Sequence, residues 1–195
     1  MIGKKIIAQQ MGERVSHIMS DVAAEKLASI LVHMEVGKNE FLLKEGDVSN
    51  LVYYVKSGLL RQFSYKNGKE LTEHFVFEGN VFINIESFFH QKPTHARIEA
   101  LEPVVLYGIP YKPFMSLIQE SHEISFMYCH LLETMLLGIH KKINEFRLET
   151  ANERYLRLLK ERPEIIRRVP LVHIASYLLM SPETLSRVRA GILNE

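Results

Sequence analysis

Cysteine is almost absent: Cys129 is the one such residue in 195. A lone cysteine cannot close an internal disulfide, so no disulfide framework supports the fold, and a reducing compartment fits that usage. Long apolar runs are missing too. Segments such as Leu51 to Val55 and Met135 to Ile139 fall far short of the roughly 18 residues a bilayer span needs. Lys4 and Lys5 resemble the charged start of a signal peptide, but Gln9 and Gln10 interrupt the apolar stretch that would have to follow. A cytoplasmic protein without membrane contact is expected. The sequence also lacks the Gly-x-Ser-x-Gly elbow, the Gly-x-x-x-x-Gly-Lys-Ser/Thr loop, the Gly-x-Gly-x-x-Gly fingerprint and the His-Glu-x-x-His helix. Nothing in it proposes catalysis, and neither an enzyme nor a bound cofactor or metal is expected.

What remains is an ordinary globular mixture, 47% hydrophobic and 24% charged, with a formal net charge of +1. The charge is unevenly placed. Residues 1–140 hold 13 Lys/Arg against 16 Asp/Glu, and residues 141–195 hold 11 against 7. A basic C-terminal quarter suits a nucleic-acid-facing region, although a solvated helical surface would carry the same excess.

The first 35 residues read as helix, with Leu27, Ile30, Leu31 and Met34 at three- and four-residue spacing and Ser20 or Asp21 available as a cap. From Val36 to about Pro110, short aromatic and β-branched runs alternate with turn signals about every 10 to 14 residues, the rhythm of an antiparallel jelly roll. Asn67-Gly68 is the clearest turn, since both residues tolerate the positive φ of a tight hairpin. Helical spacing returns after Pro113. Between Ser121 and Leu148, the residues Ile124, Tyr128, Leu131, Met135, Ile139, Ile143 and Phe146 form one apolar stripe. At 1.5 Å per residue that helix is about 40 Å long, more than a small β domain covers, so a dimerisation helix is expected, with a core helix against its own domain as the alternative. Cys129 on this helix reads as a small buried contact, with a redox-reactive thiol as the alternative.

Thr150 and Glu153 have capping-box spacing and start a new helix from Asn152 to Lys160. The last segment divides in two. A short helix reaches Leu178 with Ile174, Ala175 and Leu178 inward; a second begins with Ser181 as N-cap and Pro182 at the first helical position. Leu185 and Val188 then face inward, and small Ala175 lies where the helices cross, which is a helix-turn-helix pattern.

This arrangement resembles the Crp/Fnr superfamily of bacterial transcription regulators. The resemblance spans nearly the whole chain and is most specific at Glu45-Gly46-Asp47, at Val55-Lys-Ser-Gly58, and at Ile174-Ala175 through Arg187-Val188. Glu86-Ser87-Phe88-Phe89 and Ile98 to Glu102 look like a subgroup common in Bacteroidetes. The resemblance implies an α+β fold: a double-stranded β-roll of the cyclic-nucleotide-binding type with flanking helices over 1–120, a dimerisation helix over 121–149, and a helix-turn-helix domain over 150–195. The sequence stops at Glu195 without the β-wing of many relatives. A homodimer on double-stranded DNA follows from the resemblance, with RNA polymerase as a candidate further partner. The DNA-facing candidates are Ser181, Glu183, Thr184, Ser186, Arg187 and Arg189. Arg187 can read guanine, Glu183 can accept from cytosine, and Ser186 can reach phosphate. Leu179 stands at the turn position where such motifs usually have glycine.

The sensing end departs from the family. Its Gly-Glu turn falls near Asn84-Ile85-Glu86, its Arg-Ser/Thr pair on Thr94-His95, and its base-contacting polar pair on Ile139-His140. Without the phosphate cation, cyclic AMP is a poor effector. The candidate effector pocket is Phe82, Asn84, Glu86, Ser87, Thr94, His95, Met135, Ile139 and His140, either holding another small molecule or filled by Phe82, Phe88 and Phe89. One cysteine excludes the four-cysteine iron–sulfur sensors, and none of the nine histidines is singled out as a haem ligand. Two other readings stay open. One is a β-roll that binds a protein or small molecule and no longer binds DNA. The other is a cupin-like metal enzyme, for which His74, His90 and His95 offer no His-x-His pair.

Overall fold

The computed structural model describes residues 2–14 and 18–192. Two helices come first, α1 (Ile2–Arg14) and α2 (Asp21–Ile30). Ser20 caps α2 by accepting the Ala23 N–H at 3.2 Å. The helix ends earlier than the spacing suggests. Leu31 is already extended, and β1 (Val32–Val36) pairs with a late strand, so Met34 lies in a sheet rather than on the Leu27 stripe. Pairing across the sheet overrides the helical spacing because Val32 and Val36, branched at Cβ, suit a pleated strand.

The strands β2 (Phe41–Leu43), β3 (Leu51–Ser57), β4 (Leu60–Lys66), β5 (Lys69–Val76) and β6 (Val81–Phe82) follow. A short helix, α3 (Ile85–His90), interrupts the β region before β7 (Arg97–Ala100) and β8 (Val104–Pro110). Two antiparallel four-stranded sheets result, ordered β1-β8-β3-β6 and β2-β7-β4-β5. Asn67 and Gly68 take φ of 52° and 74° in the β4–β5 hairpin, the turn their side chains permit. Gly58 at φ 92° is required by space as well, since a Cβ there would lie 2.4 Å from the Pro103 carbonyl oxygen. Val55, Leu60, Ile98, Ala100 and Leu106, all fully buried, fill the space between the sheets.

Four elements of the first core come from outside the roll: α1, α2, α4 (Tyr111–Glu120) and the first half of α5 (His122–Leu148). Phe88 is fully buried there, edge-on to Phe89 and Tyr111, so it belongs to this core and not to an effector pocket. Only the first part of the expected α5 stripe follows it in. Ile124, Met127 and Leu131 are buried, whereas Ile139 and Ile143 are 39% and 50% exposed, alongside Leu136 at 67%. Cys129 is exposed, which corrects its reading as a buried contact: it lies on the side of α5 turned from the roll. Among the described residues no helix is long and apolar enough to cross a membrane.

The chain ends in α6 (Ala151–Glu161), α7 (Ile165–Arg168), α8 (Leu171–Tyr177) and α9 (Pro182–Ile192). Thr150 and Glu153 form the expected capping box. The core of these helices includes Tyr155, Ile174, Ala175 and Leu185, and it continues into Leu59, Phe77 and Leu101 of the roll. The C-terminal helices therefore share buried apolar surface with the sheets. The expected absence of a β-wing concerns the chain end beyond Ile192, outside the described residues.

Candidate nucleic-acid interface and cavity

Helices α8 and α9 meet at a turn that sequence alone marks as strained. Leu179 has φ of 53°, the left-handed region usually left to glycine. The Met180 N–H donates to the Ala175 carbonyl at 3.0 Å and the Leu179 N–H to that of Ser176 at 3.1 Å. Those two bonds make a Schellman motif, which satisfies the last carbonyls of α8 and turns the chain sharply. Ser181 then caps α9, its Oγ accepting the Thr184 N–H at 3.2 Å. Fully buried Ala175 brings the helices close, with Leu178 and Leu185 sealing the crossing.

Of the six DNA-facing candidates, Ser181, Glu183, Ser186 and Arg187 are exposed and Thr184 and Arg189 are half-buried. Arg187 Nη2 donates to Thr184 Oγ1 at 3.4 Å, a long bond that leaves most of the guanidinium fork available. A hydrogen bond from Ser181 holds the Glu183 carboxyl below the usual range, helped by the charges of Arg187 and Lys69. Lys69 opens β5, so the hairpin tip carrying Lys66 and Lys69 approaches the start of α9.

Sequence spacing did not reveal how α8 is held. Ser176 Oγ accepts the Thr72 N–H at 2.9 Å and donates to the Glu70 carbonyl at 2.8 Å, so it extends the edge of β5. Beneath it lies Arg61, 1% exposed, donating to Thr72 Oγ1 (2.9 Å), Glu99 (2.8 Å) and Glu70 (2.7 Å) with its plane over Phe63. Burial alone would raise the Glu70 carboxyl, but hydrogen bonds from Arg61 and Tyr65 outweigh it and hold it low. His173 of α8 approaches Glu70 at 4.0 Å; burial, and then the Arg61 charge, lower its pKa. Arg168 bridges Glu78 and Glu102 of the roll at 2.7 Å each, and Arg154 donates to the carbonyls of Glu149 and Leu178.

The described residues also line an open cavity of about 420 Å³ where the β-roll, α5 and the C-terminal helices meet. It takes in Phe82, Met135 and Ile139 of the expected pocket. The other six lie off its lining, and several are engaged in local structure. Asn84 caps α3, Ser87 bonds the Ser49 N–H and the Lys92 carbonyl, and Thr94 Oγ1 accepts from the Ala96 N–H. Glu86, His95 and His140 are exposed. In their place the cavity has His74, Lys142, Arg162 and Tyr177. His74 is pushed down to about 4, first by burial and then by the Lys142 charge. Sequence reasoning missed these four because nothing local marks residues that converge from four separate segments.

Residues 33–121 match the family model of the cyclic nucleotide-binding domain. No curated protein matches the chain in sequence. Solved structures do match in fold. The regulator CLP of Xanthomonas campestris, described as c-di-GMP responsive, superposes with a TM-score of 0.72 at 17% identity, covering 90% of this chain and 92% of its own. FixK2 of Bradyrhizobium japonicum gives 0.68 at 17% identity over 85% of each chain. A CooA variant from Carboxydothermus hydrogenoformans gives 0.65 at 21% identity, over 90% of this chain and 79% of its own. Residues 33–121 are thus similar to a cyclic nucleotide-binding domain. The fold of the chain as a whole is that of these solved structures.

Proposed function

We propose that this chain is a cytoplasmic DNA-binding transcription regulator with no catalytic activity of its own. In this reading residues 1–120 sense, 121–149 dimerise and 150–195 bind DNA. The observation that carries it is the α8–α9 pair: a Schellman turn and a Ser181 cap present Glu183, Ser186 and Arg187 from the first turns of a supported helix. That face can enter a major groove, with Arg187 donating to guanine and Glu183 accepting from cytosine. Dimerisation uses the outer face of α5. Leu132, Leu136, Ile139 and Ile143 follow the four-three-four spacing of a coiled-coil seam, and the last three are exposed in the single chain. Two-fold pairing along that seam places two α9 helices on an inverted repeat about 34 to 36 Å apart.

Thr94 and His95, where a nucleotide phosphate would need its cation, disfavour cyclic AMP as the effector, because neither supplies a permanent charge. Selection of bound sequences from random DNA by the purified protein tests the reading; an enriched inverted repeat is expected, and no enrichment refutes it. Arg187→Ala should cost about 1 to 3 kcal/mol of discrimination at one base pair per half-site and leave the dimer intact. An unchanged base preference in that variant would remove Arg187 from its assigned role.

A further inference from the structure

The cavity at the junction has two unlike walls. Phe82, Ile83, Met135 and Ile139 make one of them apolar. The other carries four cations, Lys141, Lys142, Arg157 and Arg162, against two carboxylates, Glu145 and Glu161. Both carboxylates have cations beside them: Lys141 lies 2.8 Å from Glu161 and 3.6 Å from Glu145, and Arg157 lies 2.8 Å from Glu145 and 3.4 Å from Glu161, although the buried Glu145 Oε1 accepts no hydrogen bond. Lys142 is left without an ion pair, and Arg162 has only a long one. Lys142 donates to the backbone carbonyl of Glu73 and sits 4.6 Å from the Tyr177 ring centre, and among the described residues no carboxylate lies within ion-pair distance of it. Arg162 lies over Phe77 at 5.2 Å, with Glu164 no nearer than 3.8 Å.

A half-buried ammonium with no carboxylate in contact, and only the more distant charges of Glu73 and Glu145 opposite it, is incompletely compensated, and an anion entering the cavity would relieve it. Burial accordingly lowers the Lys142 pKa. The volume, about 420 Å³, falls within the ordinary range for small-molecule sites. Resting on the reading of the chain as an effector-controlled regulator, we propose that this cavity binds a small amphipathic anion. Its apolar body lies against Phe82 and Met135, and its carboxylate or phosphate group meets Lys142 and Arg162. Such a ligand touches β5 and β6, α5, α6 and the Tyr177 end of α8 at once, so it ties the sensor, the dimer helix and the DNA-facing helices into one arrangement. A ligand controls DNA affinity only if it prefers one arrangement of these parts, and a site shared by all three supplies that preference.

Calorimetric titration of the full chain with decanoate, decyl phosphate, decanol and decyltrimethylammonium tests the proposal. One or both anions should bind, with decanol and the cationic amphiphile at least about tenfold weaker. Lys142→Met and Arg162→Gln should each weaken anion binding by about tenfold, with circular dichroism confirming the fold. Gly138→Leu should weaken binding by narrowing the cavity, since Gly138 lines it and a Cβ there meets nothing within 4 Å. Decanol binding as tightly as decanoate, anion affinity unchanged in both charge variants and in Gly138→Leu, or no anion binding at all would each overturn it. The comparison among the four ligands is made on the unaltered protein, so it decides even if a variant misfolds. Repeating the random-DNA selection with and without the bound anion separates the two claims. No DNA enrichment in either condition removes the regulator reading, while calorimetry still decides the ligand; enrichment with identical affinity in both removes the control assigned to the site.

Discussion

Replacing Arg61 by methionine isolates the buried charge under α8. The guanidinium makes three side-chain hydrogen bonds, to Thr72, Glu99 and Glu70, at 2.7 to 2.9 Å, and is itself 1% exposed. Methionine keeps much of the apolar stem and its contact with Phe63 but leaves two carboxylates without their cation. Glu99 is 17% exposed and Glu70 37%, so water compensates Glu70 more than Glu99. Removing one partner of a buried pair costs about 3 to 5 kcal/mol, and partial exposure of these carboxylates points to the lower end, about 3 kcal/mol. Urea unfolding followed by circular dichroism reads the change as a shift in midpoint. The triple variant Arg61→Met, Glu70→Gln, Glu99→Gln should recover most of the loss, because it leaves no uncompensated buried charge. The same network supports Ser176 and His173 of α8, so Arg61→Met should also speed proteolysis between Leu148 and Ala151. A loss below about 1 kcal/mol, or a triple variant less stable than the single one, would refute the reasoning.

Acid should destabilise the fold before its carboxylates titrate. His74 is neutral when folded, with a pKa of about 4 against 6.5 unfolded, so stability is full above pH 6.5 and falls as the unfolded chain gains the proton. His74 is partly open to solvent, which screens the shift, so the loss from this residue between pH 7 and 5 is below about 1 kcal/mol; His74→Phe should reduce that slope in urea titrations, with the contribution of His173 remaining. Leu179→Gly should raise stability by about 1 kcal/mol, since glycine takes φ of 53° without strain and the leucine side chain is 58% exposed, giving up little burial. A thermal melt that moves down instead would show that Leu179 contributes through its contacts. Exposed Cys129 continues the α5 seam three residues before Leu132. In a parallel two-fold pair it faces its own copy, so mild oxidation should give a reducible cross-linked dimer on a non-reducing gel. A dimer in solution that never cross-links would rule out parallel pairing along this seam.

The elements legible in the sequence were those set by neighbours in the chain. Asn67-Gly68 turned the β4–β5 hairpin, Thr150 and Glu153 closed the capping box, and Ser181-Pro182 started α9, because each depends on backbone preferences within a few residues. The exposed face of α9 was legible for the same reason: once its N-cap and inward Leu185 are known, helical spacing orients the rest.

What the tertiary structure alone decided lies in contacts between distant segments. Arg61 looks like any strand cation until Glu99, 38 residues away, and the underside of α8 bury it. Ser176 reads as a helix surface residue until Thr72 and Glu70, 104 and 106 residues away, accept it as part of a sheet edge. Asn84, Ser87 and Thr94, placed in a pocket by analogy, were drawn into local turns and caps, and His74, Lys142 and Arg162 came to line the cavity. Local preference governs a turn because the competing states are few and close by. Which charges are buried, and which converge on a cavity, depends on packing among sheets and helices that no window of sequence contains.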